Sequence, residues 1–241
     1  MTSVGDAFGW PFQDQQWTSK ILIQGLITLI PIVGWIATTG WLVMLIDNYR
    51  AGRRELPQAG FHLERGIVLW LVVVIYSIVF SIPGDIISGA GASGDNSGLQ
   101  GLGNFIGFIA SLLLAFLLPS VILHTYRSGF NGGFNVGGIW QMATANTTNT
   151  IIAGVLIWVA ELIAGFGLII CCVGFIFTAP YAASVVAGIV TWYEQITGGA
   201  AAPPPPAPLA PQEPPAPLQE PPASQEPPAS QEPPAPPPAV S

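Results

Sequence analysis

Long stretches without a charged side chain alternate with short polar ones. Ile21 to Ile46, Gly66 to Ile82 and Leu102 to Leu123 carry no Asp, Glu, Lys or Arg, and Ile151 to Tyr193 carries only Glu161. A hydrocarbon core ~30 Å thick is crossed by roughly 20 apolar residues rising 1.5 Å each, so the pattern predicts membrane-spanning helices.

The first run is the ambiguous one. Wholly helical, Ile21 to Ile46 would extend about 39 Å, too long for one upright crossing and too short for two. Pro31 and Gly34 sit near its middle. It is therefore either a single tilted or kinked span, or a re-entrant hairpin turning at Pro31-Ile32-Val33-Gly34. In either case Pro31 frees a carbonyl one turn earlier, which in lipid must find a partner such as Thr28, water or a neighbouring helix. The loop that follows holds Arg50, Arg53, Arg54 and Arg65, and Arg127 follows the Leu102 to Leu123 run. By the positive-inside rule these five arginines mark the cytoplasmic side.

Gly66 to Ile82 then runs outward, with Pro83-Gly84-Asp85 ending or kinking it, and GASGDNSGLQG reads as a flexible external loop. Between Arg127 and Thr150, the spacing of Phe134, Ile139, Trp140 and Met142 predicts a short amphipathic interfacial element. Ile151 to Tyr193 is long enough for two crossings with a turn near Cys172, Val173 and Gly174, returning the C-terminus to the cytoplasm. The expected fold is all-α: a polytopic transmembrane helical bundle of about five spans, the first either kinked or re-entrant, with a disordered Pro-rich C-terminal tail. The N-terminus lies outside if the first run crosses once and inside if it is re-entrant.

Residues 1–20 form an interfacial N-terminal segment, residues 21–196 the helical domain and residues 197–241 the tail. The first segment is too polar and acidic for the basic start of a cleaved signal peptide. Its Phe8, Trp10, Phe12 and Trp17 suit headgroup depth beside Lys20.

Composition agrees with a lipid environment. Charged residues are 8% of the chain and the hydrophobic set is 51%, against about 25% charged in soluble domains. A net charge of −7 without a basic patch argues against nucleic acid. Cys171 and Cys172 are adjacent inside an apolar run, which suits small hydrophobes and not a disulfide framework or a CxxC metal pair.

The tail repeats QEPPA with insertions, and its Gln-Glu pairs end at Glu213, Glu220, Glu226 and Glu232. Six-residue spacing is two turns of polyproline II, so the later glutamates would share a face. Such a segment builds no packed core. It is either a partner-docking arm or a solvated, semi-rigid tail.

Few residues could carry chemistry. Glu161 is an ionisable group within an apolar run, where a carboxylate at mid-bilayer costs on the order of 2.5–3.5 kcal/mol on insertion scales. It is either a proton or cation site, or a glutamate hydrogen-bonded to a neighbouring helix, with Asn104 or Gln24 as partner. Gly103 and Gly107, Ser184 and Gly188, and Gly25, Gly34, Ala37 and Gly40 permit close helix approach within the bundle. Trp35, Trp41, Trp70, Trp158 and Trp192 read as interface anchors or packing. His62 and His124 stand beside the cytoplasmic interface without the further ligands a metal requires. HExxH, GxSxG and Walker patterns are missing, and the Asn146-Thr147-Thr148 sequon falls on the cytoplasmic side. No cofactor is expected.

Trp10-Pro11-Phe12, Trp17 and Lys20, then Leu29-Ile30-Pro31-Ile32-Val33-Gly34, Gly40-Trp41, Leu56-Pro57, Gly174 and Pro180-Tyr181 together resemble an uncharacterised prokaryotic multi-pass membrane family known only as a domain of unknown function. The likeness covers residues 6 to 196 and departs at Gly40-Trp41, where the family usually has Gly-Tyr. A more distant similarity, around Gly174 to Tyr181, is to the non-catalytic membrane regions of some bacterial glycerophosphodiester phosphodiesterases, whose catalytic domain has no counterpart here. The resemblance implies a prokaryotic plasma membrane and no assigned activity. The expectation is a non-enzymatic anchor or partner-organising component that contacts the bilayer and, through its tail, protein partners. The alternative is a small transporter subunit using Glu161.

Overall fold

The computed structural model describes residues 4–169 and 171–197, with the side chains of Cys171 and Cys172 outside that description. The chain divides into two units, Met1–Ala202 and Pro203–Ser241. The expectations for the Pro-rich tail and for the two cysteine side chains lie outside the described residues.

Every regular element described is helical: α1 (Asp6–Gly9), a 3-10 turn (Trp10–Gln13), α2 (Trp17–Thr28), α3 (Val33–Arg50), α4 (Leu63–Ser93), α5 (Ser97–Gly133), α6 (Val136–Ala145), α7 (Thr147–Ile169) and α8 (Cys171–Ile196). Among the described residues, α4, α5, α7 and the Val173–Ile196 part of α8 are long and apolar enough to cross a membrane. Their outward faces fit that solvent. Ile86 is 65% exposed, Phe105 60% and Ile169 77%, side chains that water would disfavour and lipid accepts.

The first apolar run is a hairpin, the re-entrant one of its two readings. α2 ends at Thr28 and α3 starts at Val33. The Thr28 and Thr38 hydroxyls meet across the pair at 2.6 Å, and a Cβ on Gly34 would lie 2.1 Å from the Ile27 carbonyl oxygen. The two ends of the hairpin return to one neighbourhood, because Lys20 Nζ donates to the Leu56 carbonyl at 2.7 Å and the Leu56 N–H donates to Asp14 at 2.7 Å. Two crossings do not fit this length and one is not made, which is why about five spans become four plus a hairpin. The Ile27 carbonyl accepts from the Ile30 N–H at 3.0 Å, so the turn itself supplies a partner near the proline.

The turn is strained. Val33 N–H donates to the Pro31 carbonyl at 2.7 Å around Ile32, whose φ is 64° and ψ −62°. That is the γ-turn with positive φ, rare for any L-residue and rarest for a β-branched one. Ile32→Gly should relieve ~1–2 kcal/mol of backbone strain against up to ~1 kcal/mol of added chain entropy. A modestly higher melting temperature in detergent is expected; a lower one would show that the turn holds no strain.

Two expected boundaries move. α4 does not end at Pro83 but carries the proline inside and runs on to Ser93. The stretch read as a flexible loop is mostly helical, with Gly94 to Asn96 between α4 and α5. The reason is close packing: Cβ atoms on Gly84 and Gly103 would meet backbone of the opposite helix at 2.7 and 2.2 Å, so these glycines weld the two helices together where propensity alone predicts fraying. Asn96 caps α5 by accepting from the Leu99 N–H at 3.0 Å. Near its C-terminal end α5 breaks at Gly129, φ 64° and ψ −150°, and Asn135 caps the amphipathic α6 through the Gly138 N–H at 3.0 Å.

The N-terminal segment packs against the helices. Trp10 is 6% exposed and stacks on Tyr49 with ring centroids 3.9 Å apart. Phe12 remains half exposed and sits edge-on to Trp17 at 4.9 Å. Tyr181 on α8 donates to the Phe8 carbonyl at 3.1 Å, so the segment is sewn onto the bundle. Lys20 does not reach for headgroups either. It is buried in an ion pair with Asp14 at 2.7 Å. Burial alone would push the Asp14 carboxyl up, but hydrogen bonds from Lys20 and from the Gln16 and Leu56 N–H groups, with the charge of Lys20, hold it below the usual carboxylate value.

Candidate functional site

Polar side chains converge where four helices begin or finish. Arg50 closes α3, Arg65 lies in the first turn of α4, Arg127 stands just before the Gly129 break of α5, and Glu194 lies in the last turn of α8. Glu194 is 1% exposed. It accepts from Arg50 Nε at 2.7 Å and from Arg50 Nη2, and also from Arg127 Nη2 at 2.7 Å and Nε at 3.2 Å. One carboxylate thus ties α3, α5 and α8.

Asp47 makes a second node. It accepts from Arg65 Nη1 at 2.5 Å and from the Tyr126 hydroxyl, tying α3, α4 and α5. The Arg50 guanidinium joins the nodes by lying over the Tyr126 ring, 4.3 Å from its centroid, close enough for a cation–π contact. Beside them opens a cleft of about 450 Å³, lined by Val43, Asp47, Arg65, Val68, Thr125 and Tyr126 among others. Two carboxylates against three guanidinium groups form a positive, cross-linked lattice. Its geometry is that of a structural lock, because every carboxylate is engaged by at least two donors.

The arginines expected to set topology therefore separate into two groups. Arg50, Arg65 and Arg127 enter the lattice. Arg53 and Arg54, in the segment after α3, are exposed.

The three residues considered as an intramembrane polar site do not meet. Gln24 is fully buried and accepts from the Gly60 N–H at 3.0 Å, which fastens the 51–62 segment to α2. Asn104 is exposed and accepts from Ser88 at 3.0 Å, joining α4 to α5. Glu161 on α7 is exposed and receives a hydrogen bond from neither, correcting the expected interhelical pair. Rotation does not explain this, since Glu161 falls between the buried Gly154 and Ile157 around α7; the neighbours thin out along the helix instead, and nothing lies within 4 Å of a Cβ on Gly165 one turn further on.

Several other expectations resolve into packing. Trp41 is fully buried and donates to the Pro57 carbonyl at 3.2 Å, whereas Trp35 is 54% exposed. Tyr193 was not singled out by the sequence, yet its hydroxyl sits 3.1 Å from Ser120 and 2.9 Å from Thr150 in a buried cluster. His62 Nε2 lies 2.9 Å from the Gln58 carbonyl, and His124 Nε2 is buried without a hydrogen-bond partner among the described residues. No group of three or more His, Cys, Asp or Glu suited to a metal occurs among the described residues. Glu194, Asp47 and Tyr126 are the functional-site members that spacing could not reveal, since their partners lie far away along the chain.

Four apolar spanning helices, a hairpin beside them and an ionic lattice across the helix ends define a polytopic α-helical membrane protein. The chain belongs to DUF4013, a family of proteins of unknown function, whose profile matches residues 23–173. No curated protein matches, and nothing supports the distant likeness to membrane regions of glycerophosphodiester phosphodiesterases. No solved structure matches.

Proposed function

We propose that this protein is a non-enzymatic component of a prokaryotic plasma membrane that anchors or organises protein partners, with its tail on the cytoplasmic side. The observation that carries this reading is the position of Glu194. It lies in the last turn of α8 and holds Arg50 and Arg127, so α8 ends where all five arginines gather. By the positive-inside bias that end is cytoplasmic. The lattice supports the same reading, since its ionisable groups fasten helices to one another, which leaves none of them for chemistry. A transporter role for Glu161 draws no support from an exposed side chain that meets neither Asn104 nor Gln24.

Deleting residues 198–241 tests the reading. Co-purification from native membranes should lose partner proteins while the melting temperature of the helical unit stays unchanged. An identical partner set with and without the tail would refute the arm, and a solute or proton flux lost specifically in Glu161→Gln would favour transport instead.

A further inference from the structure

The lattice leaves Arg53 and Arg54 unused. Both are exposed, and among the described residues neither joins an ion pair. Their backbone is nonetheless held: Gly52 takes a positive φ of 67°, the Arg53 N–H donates to the Asn48 carbonyl at 2.9 Å, and Asn48 Nδ2 donates to the Glu55 carbonyl at 2.8 Å. The pair is therefore presented on a fixed turn immediately beyond α3.

That turn borders a cleft of about 470 Å³ lined by Asp6, Trp10, Gln13, Tyr49, Arg53 and Arg54. Arg54 also lines a second cleft of about 450 Å³, together with Gln13, Gln15, Gln16, Gln58, Glu55 and the Asp14–Lys20 ion pair. Two guanidinium groups face one carboxylate in the first, whereas in the second the charges balance and four glutamine amides supply the neutral donors. Arginine forks match the oxygens of a phosphate, and neutral amides suit the hydroxyls of a polyol. Half-exposed Phe12 and partly buried Trp17 stand next to Gln13, the kind of aromatic pair that rests at a membrane–water boundary.

We propose that Arg53 and Arg54 bind the phosphate of an anionic, polyol-bearing lipid headgroup, with Gln13 and the neighbouring glutamines receiving the polyol. The site recognises a phosphodiester or phosphomonoester; a soluble glycerol phosphate carries the same chemistry, and the experiment separates the two. This inference rests on the membrane reading but not on the partner-organising role, so a failed tail deletion leaves it standing.

The test uses the full-length protein in neutral detergent, with phosphatidylglycerol, phosphatidylcholine and glycerol 1-phosphate as separate probes and retained ligand read by native mass spectrometry. Phosphatidylglycerol should be retained and phosphatidylcholine should not. Arg53→Gln with Arg54→Gln should weaken retention ~30-fold, at about tenfold or less per basic residue. Glu64→Gln, which alters an exposed charge outside both clefts, should change it less than about twofold. Both arginines are exposed, so the double variant should melt like the parent; if it does not, Gln13→Leu, which leaves the charges alone, should still reduce retention of phosphatidylglycerol relative to phosphatidic acid. A gain in Glu64→Gln as large as the loss per arginine would overturn the site in favour of a diffuse surface field. Displacement of the lipid by glycerol 1-phosphate at equal concentration would overturn the lipid as its ligand.

Discussion

Glu194→Ala is expected to destabilise the helical unit by about 3 kcal/mol, at the lower end of the cost of breaking a buried ion pair. The carboxylate is 1% exposed and its removal strands two guanidinium groups. The side chains of Arg50 and Arg127 are 24% and 27% exposed, so water reaches them and moderates the loss. Thermal unfolding in detergent reads the effect directly. A double-mutant cycle with Arg50→Leu should show that much of the loss disappears when the cation leaves too, since the penalty belongs largely to the unpaired charge. An unchanged melting temperature in Glu194→Ala would show that the lattice is incidental to stability.

Gly25→Ala should have an effect of comparable size from a different cause. A Cβ at this position would lie 1.8 Å from the Ile176 carbonyl oxygen and 2.5 Å from its carbon. The obstacle is backbone of α8, not a side chain that can rotate, so α2 and α8 must separate. Overpacking of this kind costs typically 1–3 kcal/mol and sometimes more. Gly101→Ala provides the comparison, because nothing lies within 4 Å of its Cβ position; there the better helix former should be neutral or stabilising by up to ~1 kcal/mol. Equal melting temperatures for the two variants would show that α2 does not bear on α8 as closely as the geometry has it.

These two residues illustrate what a sequence displays and what it conceals. The charge-free runs are visible because each helix must satisfy lipid by itself, a local requirement written in consecutive residues. Close packing at Gly103 could be anticipated from its spacing to Gly107, yet its partners on α4 could not. The choice between kink and hairpin in Ile21 to Ile46 depended on whether Gly34 would fold back against Ile27, which is tertiary information. Glu194 sits in an ordinary polar ending after an apolar run. Its importance comes from Arg50, 144 residues earlier in the chain, and no periodicity encodes that distance. Arg50, Arg53, Arg54, Arg65 and Arg127 were legible as a sign bias but not as a lattice and a separate exposed pair. Trp10 misled for a related reason: an aromatic near a membrane suits either a headgroup or a ring partner, and Tyr49 decides between them.

The hairpin formed by α2 and α3 also governs what the membrane must admit during biogenesis. Because its chain comes back to the neighbourhood it left, Lys20 and the arginines after α3 remain on one side. The guanidinium groups of α4 and α5 occupy the ends nearest that side, and α7 and α8 contain no lysine or arginine. Threading this protein into a bilayer therefore hauls no cation through hydrocarbon. The polar freight at the α4–α5 tip is the short Gly-Asp-Asn junction with Asp85 two turns before the end of α4, a cargo small enough that two long helices can push it across as a pair.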